Sequence, residues 1–383
     1  MSSISNLFGS TMLIERLCGV SVYAGLLYLF YKRIKTTTSS RSVKKMLNHY
    51  MVILCILAFF YIPGSNADLF RWRAITETWS SIPFRSFFVN RVLTADTPAA
   101  YLLMYFCQRT GIKGLLPMAC ALIFYWNSFH IFKILSERYN VKPEALAIGL
   151  VFFMSPGMFL EVISGVRCFV AFSIICRCIC DEYLLDKSLW KSIVPYIIAC
   201  LFHTASLVLI VIRLTAFLFE KKQRLALRVL NIIAIFVMGI IAIRFGNNFV
   251  DATLEKASNY TNNPTYYYYW EYIIGGIGYI IIMYNIYPGL KRNLQEGITR
   301  NIATLLLILS MFELIFIQSY SIFHRYVAAS TIIFIPLLVF LIDDDLNYGR
   351  KVKMHNVLSL SIIILLLACA RGNLCGYKFF IIN

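Results

Sequence analysis

The chain has 383 residues, of which 59% are hydrophobic and only 14% charged, and its mean hydropathy is +0.71. Soluble globular chains average about 25% charged residues, and a water-soluble fold of this length could not hide so much apolar surface. The formal net charge of +17 resides mostly in short loops between apolar runs, which is the positive-inside pattern of membrane proteins rather than a nucleic-acid-binding surface. We therefore predict an all-α, polytopic integral membrane protein.

Twelve apolar runs are predicted to cross the bilayer, because each approaches the length that a membrane helix needs. They lie at residues 14–31, 48–63, 114–132, 144–160, 165–180, 190–203, 205–219, 227–245, 270–287, 299–317, 322–342 and 356–370. Several have only about 15 residues and require polar anchors or local thinning of the bilayer. The first run lacks the basic start and cleavage site of a signal peptide, so it is interpreted as a retained span. Residues 1–383 are predicted to form a single transmembrane domain.

The stretch 98–112 (PAAYLLMYFCQRTGI) is apolar over only about a dozen positions, which is typical of an interfacial or re-entrant segment. Five basic loops test this interpretation, and they are Lys32–Lys45, Lys133–Lys142, Lys221–Arg228, Lys291–Arg300 and Arg350–Lys353. All five fall on one side if residues 98–112 do not cross and residues 190–219 form a hairpin of two short helices around His203. That side is predicted to be the cytoplasm, with both termini outside.

Two long loops then lie outside, at residues 64–97 and 246–269. The first loop carries four arginines interleaved with aromatic residues, against the positive-inside trend. The arginines are Arg71, Arg73, Arg85 and Arg91, and their aromatic neighbours are Phe70, Trp72, Trp79, Phe84 and Phe87. Anchoring in lipid headgroups is one interpretation. The other, which we favour, is that the guanidinium groups bind phosphate while the aromatic faces stack on sugars.

Ionisable residues at membrane depth are candidates for function, because a charge in lipid is costly. The predicted topology sends three groups of them to the outer face. In the first group, Glu161 and Arg167 flank a polar break before a helix; the simpler alternatives are that Arg167 extends to the membrane interface or that the two residues pair with each other. The second is His203 at the tip of the hairpin, which is either a structural hydrogen-bonding group or a titrating base.

The third group is His324 and Arg325, which enter a late helix from its outer end; Glu313 precedes them and is either their partner or lies deeper. Together the three groups describe an outer pocket with several cations and one or two bases, opening sideways to lipid. An anionic lipid-linked substrate fits this chemistry. A diphosphate leaving group needs cations as its bond breaks, and an acceptor hydroxyl needs a general base.

No metal ion or other cofactor is required by the sequence. The acidic run Asp343–Asp345 falls on the predicted cytoplasmic side beside Arg350, and no carboxylate pair of the metal-binding kind stands out on the other side. Most of the cysteines lie within apolar runs, where cysteine behaves as a small hydrophobic residue.

The run at residues 164–210, which begins SGVRCFVAF and ends ACLFHTASLVLI, resembles the EpsG/Wzy-type polysaccharide polymerases. Their helix start "GIRQ-x-hA" and helix end "FH-x-SA" are matched here by Gly165, Val166, Arg167, Phe202, His203, Ala205 and Ser206. NADLFRWR, with Asp68, looks like the first outer loop of that family, and FHRY, with Arg325, looks like its late arginine-bearing helix. Cys168 stands where the family usually has Gln. The resemblance extends over about residues 60–345.

This resemblance implies a membrane glycosyltransferase with a GT-C-like fold, acting without a metal at the periplasmic face of the bacterial inner membrane. Such an enzyme moves a growing chain from undecaprenyl diphosphate to a hydroxyl of the next lipid-linked repeat unit, which builds O-antigen, capsule or exopolysaccharide. The implied partners are undecaprenyl-diphosphate-linked repeat units and membrane lipid. A polysaccharide chain-length regulator is a further partner that stays open, and nucleic acid is not expected.

The predicted catalytic residues are Arg167 and Arg325, which hold the diphosphate, and His203, which activates the acceptor hydroxyl, with Glu161 as the second choice for that base. The predicted substrate-binding residues are Asp68, Arg71, Arg73, Arg85, Arg91 and His324. Two other functions stay open. A polysaccharide ligase differs only in its acceptor, and a flippase or transporter would be expected to show inverted repeats and charges near the midplane of both halves.

Overall fold

The computed structural model describes residues 10–63, 68–155, 158–220, 232–233, 269–292, 294–317 and 319–370. The regular elements of these ranges are helices, which confirms the all-α prediction. The first eight are α1 (Ser10–Lys35), α2 (Ser40–Phe59), α3 (Asp68–Glu77), α4 (Phe84–Phe87, continued by a π-helical turn at Phe88–Val92), α5 (Pro98–Arg109), α6 (Leu115–Glu137), α7 (Pro143–Met154) and α8 (Met158–Ser164). The next seven are α9 (Cys168–Leu184), α10 (Leu189–Phe202), α11 (Ser206–Leu218), α12 (Tyr269–Arg292), α13 (Ile298–Ile315, preceded by a 3₁₀ turn at Gln295–Gly297), α14 (Tyr320–Asn347) and α15 (Lys351–Ala370).

Among the described residues, five helices are long and apolar enough to cross a bilayer, namely α2, α6, α12, α13 and α14. Shorter apolar helices accompany them in α7, α10, α11 and α15. The chain is therefore a polytopic membrane protein. Twelve spans and a GT-C-like fold stay predictions, because almost all of the predicted span 227–245 and the outer loop 246–269 lie outside the described residues.

Helix α14 is the centre of the bundle. In its most apolar stretch, 94% of the residues are buried inside the protein. Helices α7, α9, α12, α13 and α15 pack around it. A helix that is apolar on all sides is stable only when it is surrounded in this way. The hydroxyl of Thr331 donates to the carbonyl of Val327 at 2.8 Å, so it needs no partner from another helix.

The predicted span 144–160 is wrong in its extent. Helix α7 ends at Met154, and a separate seven-residue helix, α8, begins at Met158. The intervening sequence contains Pro156 and Gly157. Proline has no backbone N–H to donate and glycine lowers helix propensity, so a helix is expected to end near this pair. The break places Glu161 on its own short helix rather than on a continuous span.

One end of the bundle collects the basic loops, and we call it the Glu144 end. Lys35 pairs with Glu144 at 2.7 Å and Lys44 with Glu137 at 3.2 Å. Additional bonds there join Lys142 N–H to Asp343, Arg292 to Asp344 and Asp345, and Arg138 to Asp186. The described parts of the first, second, fourth and fifth predicted basic loops therefore lie together, as the one-sided topology requires. The loop at Lys221–Arg228 lies outside the described residues.

The opposite end, which we call the Arg167 end, carries a cap of short helices formed by α3, α4 and α5. An aromatic core stabilises this cap. Trp79 is 2% exposed and Phe87 is fully buried; the Trp79 ring stacks 5.2 Å from Tyr101 and the Phe87 ring 4.2 Å from Tyr105. The expectation that Trp79 and Phe87 present their faces to sugars is wrong, because both rings are packed inside the cap.

Helix α5 covers most of the predicted re-entrant segment 98–112. Its 12 residues have a length of roughly 18 Å at 1.5 Å per residue, whereas the hydrocarbon core of a bilayer is about 30 Å thick. Proline at the first helical position suits the start of α5, where the missing N–H has no intrahelical role. The length agrees with a segment that does not cross, and re-entry itself stays a prediction.

Candidate active site at the Arg167 end

Arg167 lies in the connection between α8 and α9, directly before the first residue of α9. Its guanidinium carbon is 4.5 Å from the centre of the Trp72 ring, and its Nη1 donates a 3.3 Å hydrogen bond to Oγ1 of Thr97. Burial lowers the pKa of the Arg167 guanidinium, and the positive charge of Arg325 acts in the same direction. Since these contacts are to a ring and a hydroxyl, the charge of Arg167 remains suited to an anionic ligand.

Four predicted site residues lie near enough to Cys168, the buried first residue of α9, for their charges to act on it. The charges of Arg325, Arg167, Asp68 and Glu161 all act on the Cys168 thiol. Arg325 belongs to α14, Asp68 to α3 and Glu161 to α8, and Arg167 directly precedes α9. Residues far apart in the sequence therefore lie near one helix start. The structure thereby brings together the cations and the carboxylates that the sequence assigned to one outer pocket.

Glu161 of α8 and His324 of α14 form a pair within this group. The distance between Oε1 of Glu161 and Nε2 of His324 is 3.4 Å, and their side chains are 28% and 15% exposed. A tight turn after α8 positions Glu161, because the Gly165 N–H donates to the Glu161 carbonyl at 2.7 Å. A Cβ atom at Gly165 would lie 2.8 Å from that carbonyl oxygen and 2.8 Å from the Phe169 ring. Only glycine fits here without displacing one of them.

His203 lies in the turn between α10 and α11, where the hairpin prediction put it. Its Nδ1 accepts a 3.1 Å hydrogen bond from the Ala205 N–H. The hydroxyl of Tyr326 donates to the Ala205 carbonyl at 2.9 Å, which holds the turn against the first part of α14 beside Arg325. Because Nδ1 is an acceptor, a neutral His203 carries its proton on Nε2. In that tautomer Nε2 donates a hydrogen bond and does not take up a proton.

The outer-loop residues divide into two kinds. Arg73 acts as a brace, because it donates to the carbonyls of Lys113 at 2.9 Å and Tyr61 at 3.5 Å and so ties α3 to the end of α2 and the start of α6. The other predicted substrate-binding residues of this loop lie at the surface. Asp68 forms an ion pair with Arg71 on α3, and Arg85 and Arg91 are exposed.

Sequence reasoning missed Thr97 and Tyr61 as groups that hold the charged residues in place, and it assigned Trp72 to stacking on sugars. Thr97, at the N-terminus of α5, and Trp72 both contact Arg167. Tyr61 lies where the charges of Glu161 and Arg73 both act on its hydroxyl. The helix-start signal of the Thr97-Pro98 sequence was visible, but its contact with Arg167 depends on packing between α5 and α9.

Of the two alternatives for Glu313, the structure supports the deeper position. It is fully buried in α13, and its Oε1 accepts a hydrogen bond from the Ser330 hydroxyl of α14. His324 pairs with Glu161 instead. Glu313 therefore lies deeper in the bundle, and its hydrogen bond to Ser330 joins α13 to α14.

Most of the charged hydrogen-bond donors at the Arg167 end are guanidinium groups. Across the described ranges of the chain, no cluster of three or more His, Cys, Asp or Glu side chains has an arrangement suited to a metal ion. The arrangement favours binding of an oxyanion, with a carboxylate–imidazole pair close by.

A model of the EpsG family matches residues 98–379. The chain belongs to the EpsG family. No curated protein and no solved structure matches it. The EpsG match begins later and ends later than the expected 60–345, so it contains Glu161, Arg167, His203, His324 and Arg325 but not the outer loop before residue 98.

Proposed function

We propose that this EpsG-family protein is a membrane glycosyltransferase that polymerises oligosaccharide repeat units carried on undecaprenyl diphosphate. The observation that carries the proposal is the gathering of Arg167, Arg325 and the Glu161–His324 pair at one end of a membrane bundle. Membership of the EpsG family supports a polysaccharide-polymerase type of function. A lipid-linked diphosphate and a sugar hydroxyl are the two reactants that this set of side chains suits.

In the proposed reaction, the hydroxyl oxygen of the acceptor unit bonds to the anomeric carbon of the donor chain. The bond from that carbon to the diphosphate oxygen breaks, and undecaprenyl diphosphate leaves with the electron pair. Arg167 and Arg325 stabilise the negative charge that develops on the leaving oxygen, and Trp72 and Thr97 position Arg167 before the reaction. The hydroxyl proton passes to a base.

Glu161 is the better candidate for this base. His203 was the first choice from the sequence, but its Nδ1 is engaged with the Ala205 N–H, so the neutral ring offers only a donor at Nε2. Glu161 is partly exposed and pairs with His324, which orients the carboxylate toward the acceptor hydroxyl. In this scheme His203 donates a hydrogen bond to a sugar or to the diphosphate.

The Arg167 end faces the outside of the cytoplasmic membrane in this proposal, and the Glu144 end faces the cytoplasm. The positive-inside rule supports this orientation, since the described parts of four basic loops lie at the Glu144 end. The exposed Arg85 and Arg91, with the Asp68–Arg71 pair, then lie on the outer surface, where they guide the second lipid-linked unit toward the site.

The test is the size distribution of surface polysaccharide in a deletion strain of the source bacterium. We expect deletion to collapse the ladder of chain lengths to one repeat unit and the wild-type gene to restore it. Arg167→Ala, expressed at the wild-type level, is expected not to restore it. Full-length polymer that accumulates on undecaprenyl diphosphate would favour a ligase, and loss of all lipid-linked units from the outer leaflet would favour a flippase. An unchanged ladder would contradict the proposal.

A further inference from the structure

A second group of cations lies at the opposite end of the bundle from the candidate active site. Lys133 of α6 is half-buried, one turn before that helix ends at Glu137. The charges of Lys44 on α2 and Arg177 on α9 both act on it. Helix α6 packs against both of these helices, so cations from three helices share one region of the Glu144 end. The proposed reaction uses none of them.

Lys133 is a cation without a carboxylate partner of its own. Glu137 also acts on Lys133, but the Glu137 carboxylate pairs with Lys44 at 3.2 Å. In the part of the chain that the structure describes, no ion pair within 4 Å includes Lys133. A half-buried cation beside other cations is unfavourable unless an anion compensates its charge.

Arg177 is also incompletely neutralised. Its Nη1 donates to Oδ1 of Asn127 at 3.1 Å, whereas its Nε is 3.9 Å from Oδ2 of Asp181. That carboxylate has closer partners, because the Lys187 ammonium lies 2.7 Å away and the His130 ring 3.0 Å away. The side chain of Arg177 is 30% exposed, so its guanidinium is accessible to a ligand. The region therefore retains positive charge for an oxyanion.

An exposed apolar strip continues from Lys133 along α6 toward the middle of the bilayer. Trp126 is 53% exposed, and the centre of its ring lies 5.4 Å from Lys133 Nζ. Leu122 is exposed one turn further along the same face. A lysine that only anchors a helix extends its ammonium toward water, whereas Lys133 lies over a ring that belongs to a residue two turns deeper. Cations followed by an apolar strip fit a phosphate headgroup with acyl chains better than a soluble phosphate compound.

We propose that Lys133, Arg177 and Trp126 form a binding site for an anionic phospholipid in the leaflet at the Glu144 end. The lipid phosphate lies between Lys133 and Arg177, and an acyl chain follows Trp126 and Leu122. Basic pockets between membrane helices bind anionic lipid headgroups in this way. A phosphate in this position joins α6 to α9, so the lipid stabilises the bundle. The site is separate from the candidate active site, and the inference does not depend on the polymerase proposal.

The experiment uses the purified full chain in detergent micelles and measures binding of phosphatidylglycerol by native mass spectrometry. Lys133→Gln removes the charge and keeps a polar side chain. Lys35→Gln is the matched control, because Lys35 lies at the same end of the bundle and 6.0 Å from the centre of the Tyr31 ring, but pairs with Glu144 at 2.7 Å. Zwitterionic phosphatidylethanolamine and soluble glycerol phosphate are the comparison ligands.

We expect Lys133→Gln to weaken phosphatidylglycerol binding about fivefold, the contribution of one basic residue near an anionic lipid surface. Lys35→Gln should bind like the wild type, and Lys133→Arg should retain binding because it keeps the charge. Wild-type affinity in Lys133→Gln would overturn the proposal. So would equal affinity of the wild-type protein for phosphatidylglycerol and phosphatidylethanolamine. Displacement of the lipid by glycerol phosphate would assign the site to a soluble phosphate compound and overturn the lipid assignment.

Thermal unfolding in detergent provides a second measurement. A ligand that binds the folded state raises the unfolding temperature according to its occupancy. Phosphatidylglycerol should therefore raise this temperature for the wild type and Lys35→Gln, and raise it less for Lys133→Gln. Lys133→Met, which places an apolar side chain of similar length in the membrane, should behave like Lys133→Gln and provides the test if the glutamine variant does not fold. An equal rise in all of these proteins would show that the lipid acts without Lys133 and would overturn the proposal.

Discussion

The two ends of the bundle use cationic side chains in different ways. At the Glu144 end, Lys35 and Arg292 reach carboxylates at 2.7 and 2.8 Å. At the Arg167 end, Arg73 contacts backbone carbonyls and Arg167 contacts a hydroxyl and a ring. A carboxylate partner neutralises a cation, whereas carbonyls and rings position it and leave its charge for a ligand. Arg73 is thus structural, as are Lys35 and Arg292 of the Glu144 end, whereas Arg167 is held with its charge suited to a ligand.

Arg213 of α11 is the strongest example of the structural kind. It is 4% exposed and pairs with Glu182 and Glu220 at 2.8 Å each. The Tyr196 hydroxyl also donates to Glu182 at 2.7 Å, so the network joins α9, α10 and α11. Arg213 is more deeply buried than Arg167 and its charge is paired with carboxylates, whereas the contacts of Arg167 are to a hydroxyl and a ring.

The largest effect on stability is expected for Arg213→Ala. Removing one partner of a buried ion pair leaves uncompensated charge and costs about 3–5 kcal/mol. We expect a large drop in thermal stability, measured by the loss of monodisperse protein in detergent on heating. A variant with the stability of the wild type would show that the carboxylates of this network find other partners, and it would weaken the contrast between the two ends.

Arg167→Ala should lower activity and leave thermal stability nearly unchanged, in contrast to Arg213→Ala. We expect polymerisation to fall about 10²–10³-fold, the range for removal of one group that stabilises developing charge, while thermal stability stays close to that of the wild type. Arg167→Lys is the matched control, and it should retain part of the activity because it keeps the charge without the planar fork. A large loss of stability in Arg167→Ala with normal specific activity would move Arg167 to the structural class.

Glu161 and His203 are separated by conservative variants. Glu161→Gln removes the proposed base and should lower the rate about 10²–10⁴-fold. His203→Gln keeps a hydrogen-bond donor and should have a smaller effect, since a hydrogen bond to a charged group contributes about 1.5–3 kcal/mol. The measurement is the initial rate of chain growth at equal protein amounts. A greater loss in His203→Gln than in Glu161→Gln would restore His203 as the base.

Among these variants, the smallest effect on activity and stability is expected for Lys35→Ala at the Glu144 end. The Lys35–Glu144 pair is partly exposed, with side-chain exposures of 43% and 29%, and such pairs contribute up to about 1 kcal/mol. Lys35→Ala should therefore leave both the polymer ladder and the unfolding temperature nearly unchanged. Loss of polymer in this variant, at normal protein levels, would show that the Glu144 end takes part in function.

Much of the fold follows from local sequence, because the signals that specify it are local. Apolar runs predicted the membrane helices, and the interruption at His203 predicted the hairpin of α10 and α11. Pro156 and Gly157 also carried a visible signal for the break after α7, although the run was predicted as one span. The ends of short helices are harder to place, since flanking polar residues and packing set them as much as hydropathy does.

The site could be predicted only in outline. Arg167, Arg325 and Glu161 stood out because ionisable residues are rare at membrane depth. The pairing of Glu161 with His324 could not be read from the chain, because it depends on packing between α8 and α14, which are far apart in sequence. The brace formed by Arg73 and the burial of Trp79 likewise depend on how the cap folds onto α2 and α6.

The most direct test of the central claim is chain growth by the purified protein in lipid vesicles supplied with undecaprenyl-diphosphate-linked repeat units. The account predicts products of two or more units, one undecaprenyl diphosphate released for each new glycosidic bond, and loss of both signals in Arg167→Ala but not in Lys35→Ala. Repeat units that stay single while the protein is folded and the substrates reach it would contradict the account.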